Sequence, residues 1–283
     1  ELALEAESEG AIIELGRPVG QVRSGPREGV EVRGPWGSLS TRACVVAEGF
    51  KSRLVRLLGL RTIDWSGVLP SSQVELRAPV LDDDFVEIHV GSNVAPGFFA
   101  WVIPLGDGRA RIGLASRTVD PRKALRAFLK RRFGLRVSRT PYSGSVLKCG
   151  PIPKTYSGMV AVVGDAAGQA KPTTGGGVVL GGLCALLAGR TIVRALEEGW
   201  RSLRAYEEAW RRALWPDFRA MLVLRRLLDA MPDGLIEALV RLADEEAVSR
   251  LARGLDMDRQ STILRALPGL LLASFLGPLL KRP

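Results

Sequence analysis

The stretch Gly164–Gly177, GDAAGQAKPTTGGG, lies between two apolar runs, GMVAVV (158–163) and VVLGGLCALLAG (178–189). The first run has the β-branched content of a buried strand, and the second has the small, apolar composition of a closely packed helix. Between them stand one carboxylate, a proline and a triple glycine. An aspartate at the end of a buried strand is placed to accept hydrogen bonds from ribose or ribityl hydroxyls. Glycines lack a Cβ, so a flat ligand can lie on their backbone. A helix from Gly175 to about Leu196 would add free N–H groups and a positive partial charge that suit an anion. The stretch is no phosphate loop: GxxxxGK[ST] fails because Gly164 and Gly168 are too close and Lys171 follows Ala170. The dinucleotide fingerprint GxGxxG is absent here and from the rest of the chain.

Working outward, the segment 1–16, ELALEAESEGAIIELG, reads as a helix tail, a stop at Gly10 and a strand. GQVRSG, GVEVRG and LSTRACVVAEG continue as short strands parted by turn residues, a meander. ACVVAEGFKSRLVRLLGL (43–60) reads as a strand, a turn at Glu48-Gly49 and a basic helix over 51–58. From about 74 to 117, alternating runs predict an antiparallel sheet with a hairpin turn at Gly106–Gly108. DPRKALRAFLKRRFG is a helix with Asp120 as N-cap, Pro121 in the first turn and Gly134 as stop. The apolar stretch after Gly175 approaches the length of a membrane span, but its glycines and its place after a strand favour a core helix. After Gly199 the chain is helical to its end. Trp200, Tyr206 and Trp210 read as aromatic core packing. The tail 263–283, ILRALPGLLLASFLGPLLKRP, either docks in the protein or lies at a bilayer interface with Lys281 and Arg282 at the headgroups.

Forty Lys+Arg against thirty Asp+Glu leave the 283 residues at +10. Such a balance suits a phospholipid surface, a nucleotide phosphate or nucleic acid, or is compositional arginine bias, and does not choose among them. Three cysteines, Cys44, Cys149 and Cys184, have no metal-like spacing and no disulfide framework, which fits a reducing, cytoplasmic setting. The single histidine, His89, sits in a strand pattern, so Ser-His-Asp chemistry and His-based zinc sites are excluded and no metal site is expected. The chain starts at Glu1 as if in the middle of a domain, and a segment is expected upstream of it.

VVGDAAGQAKPTTGGGVVLG resembles the second flavin-binding motif of the geranylgeranyl reductase family, within the para-hydroxybenzoate-hydroxylase-like flavoprotein class. VVAEGFKSRLVRLLGL is similar to the class's ADG segment, with Glu48 where aspartate is usual. FFAWVIPLGDGRARIGLA resembles the family's substrate motif YxWxFP followed by GxG. Phe99, Trp101, Ile103 and Pro104 match in turn, and Gly113 and Ala115 stand for the two glycines. The period of a strand puts Phe99, Trp101 and Ile103 on one face, a wall suited to a long hydrocarbon and equally to core packing.

The resemblance implies FAD as cofactor. It places Asp165 at the ribityl chain and Pro172 with Gly175, Gly176 and Gly177 beside the isoalloxazine, where the helix end would favour the negative charge of the reduced ring. Gly164, Ala166, Ala167, Gly168 and Glu48 complete the implied cofactor set, and Phe99, Trp101, Ile103, Pro104 and Gly113 the implied substrate set. The fold class it implies is α/β (α+β). A Rossmann-like FAD/NAD(P)-binding domain, incomplete at its N-terminus, would occupy 1–68 and 151–199, an antiparallel-sheet substrate domain 69–150, and a helical region 200–283. The implied activity is saturation of C=C bonds in the geranylgeranyl chains of a prenyl ether phospholipid by reduced flavin. The implied partners are that lipid, an electron donor (NAD(P)H or ferredoxin) and an anionic membrane to which the protein is peripheral, with no nucleic acid. No residue is assigned as proton donor; Cys149 is the candidate at hand, and it reads first as a structural cysteine. The alternatives are a flavin-dependent monooxygenase or halogenase on the same scaffold, and a non-catalytic lipid-binding relative.

Overall fold

The computed structural model describes residues 1–25, 29–79, 82–136, 141–242 and 256–262. After a short helix α1 (Leu2–Ser8), strands β1 (Gln21–Gly25), β2 (Gly29–Gly34) and β3 (Gly37–Thr41) form the expected antiparallel meander. The segment 11–16 is not the expected strand. No described strand pairs with it, and Ile12 is 88% exposed, so alternation without a ladder partner leaves it irregular.

Strand β4 (Cys44–Val46) leads to α2 (Arg53–Leu57). The five-stranded sheet then takes β5 (Val68–Arg77), β6 (Glu87–Val90), β7 (Phe99–Gly106), β8 (Arg109–Ala115) and β9 (Tyr142–Leu147) in the order β6-β7-β8-β5-β9. Its neighbouring strands are all antiparallel. Asp107 and Gly108, at φ 52° and 65°, make the β7–β8 turn with two left-handed residues, which matches the strands' own twist. Helix α3 (Pro121–Phe133) covers one face, burying Leu125, Phe128 and Leu129 against Val74, Ala100, Val102, Ile112 and Leu114. Asp120 caps it by accepting from the N–H groups of Arg122 and Lys123, and Gly134 ends it at φ 69°.

The second core belongs to the parallel pair. β10 (Tyr156–Ser157) and β11 (Val160–Val162) follow, and β11 runs parallel to β4 with Val162 opposite Val46. Helix α4 (Val178–Glu197) packs Leu180, Cys184, Ala188 and Ala195 onto this pair. It is a core helix on that face only. Val178, Leu186 and Val193 on the opposite face are exposed, because two parallel strands offer one surface to cover. By length and composition it is also the one helix among the described residues long and apolar enough to cross a membrane.

Helix α5 (Arg204–Ala230) buries Tyr206, Trp210, Leu214, Phe218 and Met221 in the same core, at the spacing of one helix face. Helix α6 (Asp233–Leu242) follows. The tail 263–283 lies outside the described residues.

Candidate functional site

Because β4 and β11 are parallel, their carboxyl ends emerge side by side, where an open α/β sheet has room for a ligand. Glu48 follows one strand and Asp165 the other. Gly164, at φ 64°, turns the chain out of β11 into a short 3-10 turn, Gly164–Ala167, and Gly168 leaves it at φ 67°. A buried relay fixes this turn. Gly164 N–H donates to Gln169 Oε1 (2.9 Å), Gln169 Nε2 donates to the Tyr206 hydroxyl (3.0 Å), and that hydroxyl donates to Val162 O (2.9 Å). Gly168 lies against the Gly150 carbonyl so closely that a Cβ has no room, and Ile152 N–H donates to Ala167 O. Ala166 and Ala167 are wholly buried beneath the turn.

Asp165 points the other way. Its carboxylate has no hydrogen-bond or ion-pair partner among the described residues, and the protein around it strips enough hydration to raise its pKa above the ordinary 3.8. A Cβ on Gly177 would stand 2.8 Å from Asp165 Oδ1, so only glycine lets the carboxylate occupy this place. Gly177 is also the N-cap of α4, whose first turn no side chain caps. Residues 171–176 close on themselves: Gly175 N–H donates to Lys171 O, and Lys171 N–H donates to Gly176 O. Gly175, at φ 75°, cannot belong to the helix, which therefore begins at Val178 rather than Gly175. Lys171 Nζ pairs with Asp258 at 2.7 Å and Thr173 Oγ1 donates to Gln260 at 2.9 Å, so the segment 256–262 returns to hold this loop.

Glu48 is partly committed elsewhere. Its Oε1 accepts from Val55 N–H (3.0 Å) and caps α2, whose preceding Ser52 donates to Ala166 O. A ribityl flavin fits what remains: an unpaired carboxylate, an uncapped helix end and a cradle at Gly177 that a Cβ would fill. Asp165, Gly175–Gly177 and the α4 N-terminus could hold it.

The apolar side begins at the same loop. A cavity of about 500 Å³ is walled by Phe98, Phe99, Thr173, Thr174, Leu228 and Ile236, among others. Phe98 and Phe99 stack at 4.2 Å, and a Cβ on Gly175 would run into Val146 and reach Phe98. Trp101 lines a smaller neighbouring cavity of about 250 Å³ with Gln73 and Tyr142. Its indole covers Gly113, directly opposite across the strands, where a Cβ would meet the ring at 2.5 Å. Phe99 and Trp101 thus share the sheet face away from α3, as strand alternation requires. Ile103, opposite Arg111, and Pro104, at a register shift, lie further along β7 towards the hairpin.

Sequence places Tyr206 in aromatic core packing and Trp101 with Gly113 in the implied substrate set, but the Gln169–Tyr206 relay, the fit of Gly113 under Trp101 and the buried Arg225 in the cavity wall escaped it. Only the spacing of Tyr206 on the buried face of α5 gave any signal. His89 sits in edge strand β6, bonded to Glu87 at 2.8 Å and edge-on to Phe128. Cys149 packs against the Gly67 backbone, and burial pushes its thiol up to about 11. No group of metal-ligating side chains occurs among the described residues.

No family model matches the chain. A digeranylgeranylglycerophospholipid reductase 2 of Methanothermobacter thermautotrophicus is 34% identical over 269 residues, covering 89% of this chain and 68% of that protein. The protein of the same name in Methanopyrus kandleri is 29% identical, covering 90% of this chain and 66% of that protein. The chain thus spans about two thirds of the length of these relatives. Among solved structures, a geranylgeranyl bacteriochlorophyll reductase-like protein of Thermoplasma acidophilum superposes with a TM-score of 0.79 at 23% identity, over 86% of this chain and 66% of that one. That likeness establishes the α/β fold.

Proposed function

The chain belongs to the digeranylgeranylglycerophospholipid reductase family, and from that premise we propose that it takes part in the FAD-dependent saturation of C=C bonds in the geranylgeranyl chains of a prenyl ether phospholipid. The observation that carries this reading is the meeting of an apolar cavity of about 500 Å³ with the glycine loop at Thr173 and Thr174. Reduced flavin, when bound, would supply a hydride to one alkene carbon, while the other takes a proton to complete the added hydrogen pair. An isolated alkene resists such attack, so the protein's part is to align the chain and exclude water.

Phe98 and Phe99 present stacked rings for an isoprenoid to lie on, with Trp101 and Ile103 following on the same face of β7. Pro104, opposite Ala110 of the α3-side core, falls on the other face. Gly113 seats the indole. Asp165 accepts hydroxyl hydrogen bonds, and the uncapped first turn of α4 favours negative charge at the loop. Cys149 keeps its proton at neutral pH, but burial leaves it a weak acid, and its packing against Gly67 supports a structural role.

The membrane supplies the substrate in this reading. Leu228, Met231 and Ile236 line the cavity, while Leu227, Leu235, Leu239 and Val240 on the same two helices are exposed beside it. With a net charge of +10, that arrangement supports a peripheral, cytoplasmic enzyme on an anionic bilayer. The electron donor is NAD(P)H or ferredoxin.

The test is anaerobic incubation of the protein, chemically reduced and loaded with FAD, with a geranylgeranyl ether lipid. Mass spectrometry is expected to show added hydrogen pairs. No added hydrogen there, with oxygen-dependent hydroxylation or halogenation in an aerobic repeat, would assign the alternative chemistry of the fold, and lipid binding without flavin uptake would leave a non-catalytic relative.

A further inference from the structure

The cations of this chain are not spread evenly. Helix α3 carries six, Arg122, Lys123, Arg126, Lys130, Arg131 and Arg132, with no carboxylate in its 13 residues. Three are engaged: Arg122 donates to Ser143 Oγ, Arg131 to Asn93 O, and Arg132 pairs with Glu87 at 3.2 Å. Lys123, Arg126 and Lys130 follow the helix repeat on its solvent face, are exposed, and form no hydrogen bond or ion pair among the described residues. Like charges at that spacing weaken a helix, so the stability of α3 does not account for them. A second uncovered surface adjoins this ridge. Helix α6 exposes Leu235, Leu239 and Val240 on one side, while Glu237 and Arg241 pair with each other at 2.6 Å on the other. Ile236, on the apolar side, lines the cavity of about 500 Å³, as do Ile88 and Val90 of edge strand β6, which are 51% and 45% exposed. One loop ties the two surfaces together: Asn93 accepts from Arg131 of α3, and Ser92 donates to Asp233, the first residue of α6. Asp82, Asp83 and Asp84 stand before the other end of β6.

We infer that the α3 ridge binds the anionic headgroups of a bilayer while the apolar side of α6 sits in the acyl boundary, so that the cavity opens onto the membrane beside them. The inference rests on the peripheral-membrane reading above and adds to it the helix that reads surface charge and the way the molecule is turned. Charge argues against a second copy as the occupant. Antiparallel pairing of β6 with β6 of another copy would continue the sheet and set the two α3 helices on the same face, cations against cations. A nucleic acid would neutralise α3 and leave the leucines of α6 in water.

The test floats the full chain with vesicles of phosphatidylglycerol or of phosphatidylcholine. The natural protein is expected to favour the anionic vesicles by on the order of a hundredfold, a preference that fades as salt is raised. The triple variant Lys123→Gln, Arg126→Gln, Lys130→Gln loses most of that preference and keeps both its affinity for phosphatidylcholine and its denaturant midpoint. A control of equal charge, Arg42→Gln, Arg61→Gln, Arg201→Gln, at exposed positions outside the five-stranded sheet, keeps the preference. Leu235→Gln with Leu239→Gln weakens binding to both vesicles alike. Equal losses in the two triple variants would assign binding to net charge and overturn the proposal, as would an α3 variant that binds like the natural protein. A concentration-dependent dimer that Leu239→Gln dissolves would give the surface to a second copy and overturn it too. Reduction of a detergent-solubilised lipid is measured apart from all of these, so their failure leaves the reductase reading in place. A natural protein that binds neither vesicle removes the peripheral-membrane reading and this proposal together.

Discussion

The Asp165 carboxylate lies 2.8 Å from the point where a Cβ would stand on Gly177, so the carboxylate in the turn after β11 and a side chain at the N-cap of α4 exclude each other. Gly177→Ala is therefore expected to turn the carboxylate out of place without disturbing the buried relay behind it. The flavin-to-protein absorbance ratio of the purified variant should fall by about tenfold, the worth of a charge-assisted hydrogen bond, with thermal stability of the cofactor-free protein nearly unchanged. Full flavin retention would show that Asp165 does not need this position.

The raised pKa of Asp165 gives a pH dependence with a definite sign. Folding holds the Asp165 proton more tightly than the unfolded chain does, because desolvation disfavours the charge. Its contribution to stability is therefore present below the ordinary value of 3.8 and is lost as pH climbs through the raised folded value. Asp165→Asn should remove that loss. Denaturant midpoints at about pH 4 and about pH 7 are expected to lie closer together in the cofactor-free variant, while flavin binding weakens.

Tyr206 is the keystone of the turn, since its hydroxyl both accepts from Gln169 and donates to Val162. Tyr206→Phe leaves a buried carbonyl and a buried amide unanswered, and a loss of roughly 1–3 kcal/mol is expected from chemical denaturation. A variant within a few tenths of the natural stability would show that the relay is replaced by other partners.

Trp101 and Gly113 form a matched pair across β7 and β8. Gly113→Ala drives a methyl into the indole and into Gln73, for which overpacking costs of about 1–3 kcal/mol are ordinary. Trp101 emission should shift to the red as the ring is displaced. An unshifted spectrum would mean that the strand moves instead.

Much of the fold was legible because local chemistry fixes it. Asp120, Pro121 and Gly134 bound α3 by capping alone, and Asp107-Gly108 dictate the hairpin by backbone conformation. The glycine loop was legible for the same reason: a strand, an aspartate and glycines can be read without knowing what packs on them. The misreadings fell where burial decides. The alternation of 11–16 has no ladder partner in the described structure, and the apolar face of α4 is covered on one side only, and neither fact is written in spacing.

From its own residues, then, the sequence determined the elements, the carboxylate at the end of the buried strand and the backbone freedom beside it, since each depends on neighbours along the chain. The tertiary structure alone decided that Tyr206 and Gln169 lock the turn, that Gly113 seats Trp101, and that Arg225 is buried beside an apolar cavity. Those relationships join positions far apart in sequence, and only packing brings such groups within hydrogen-bond or van der Waals distance.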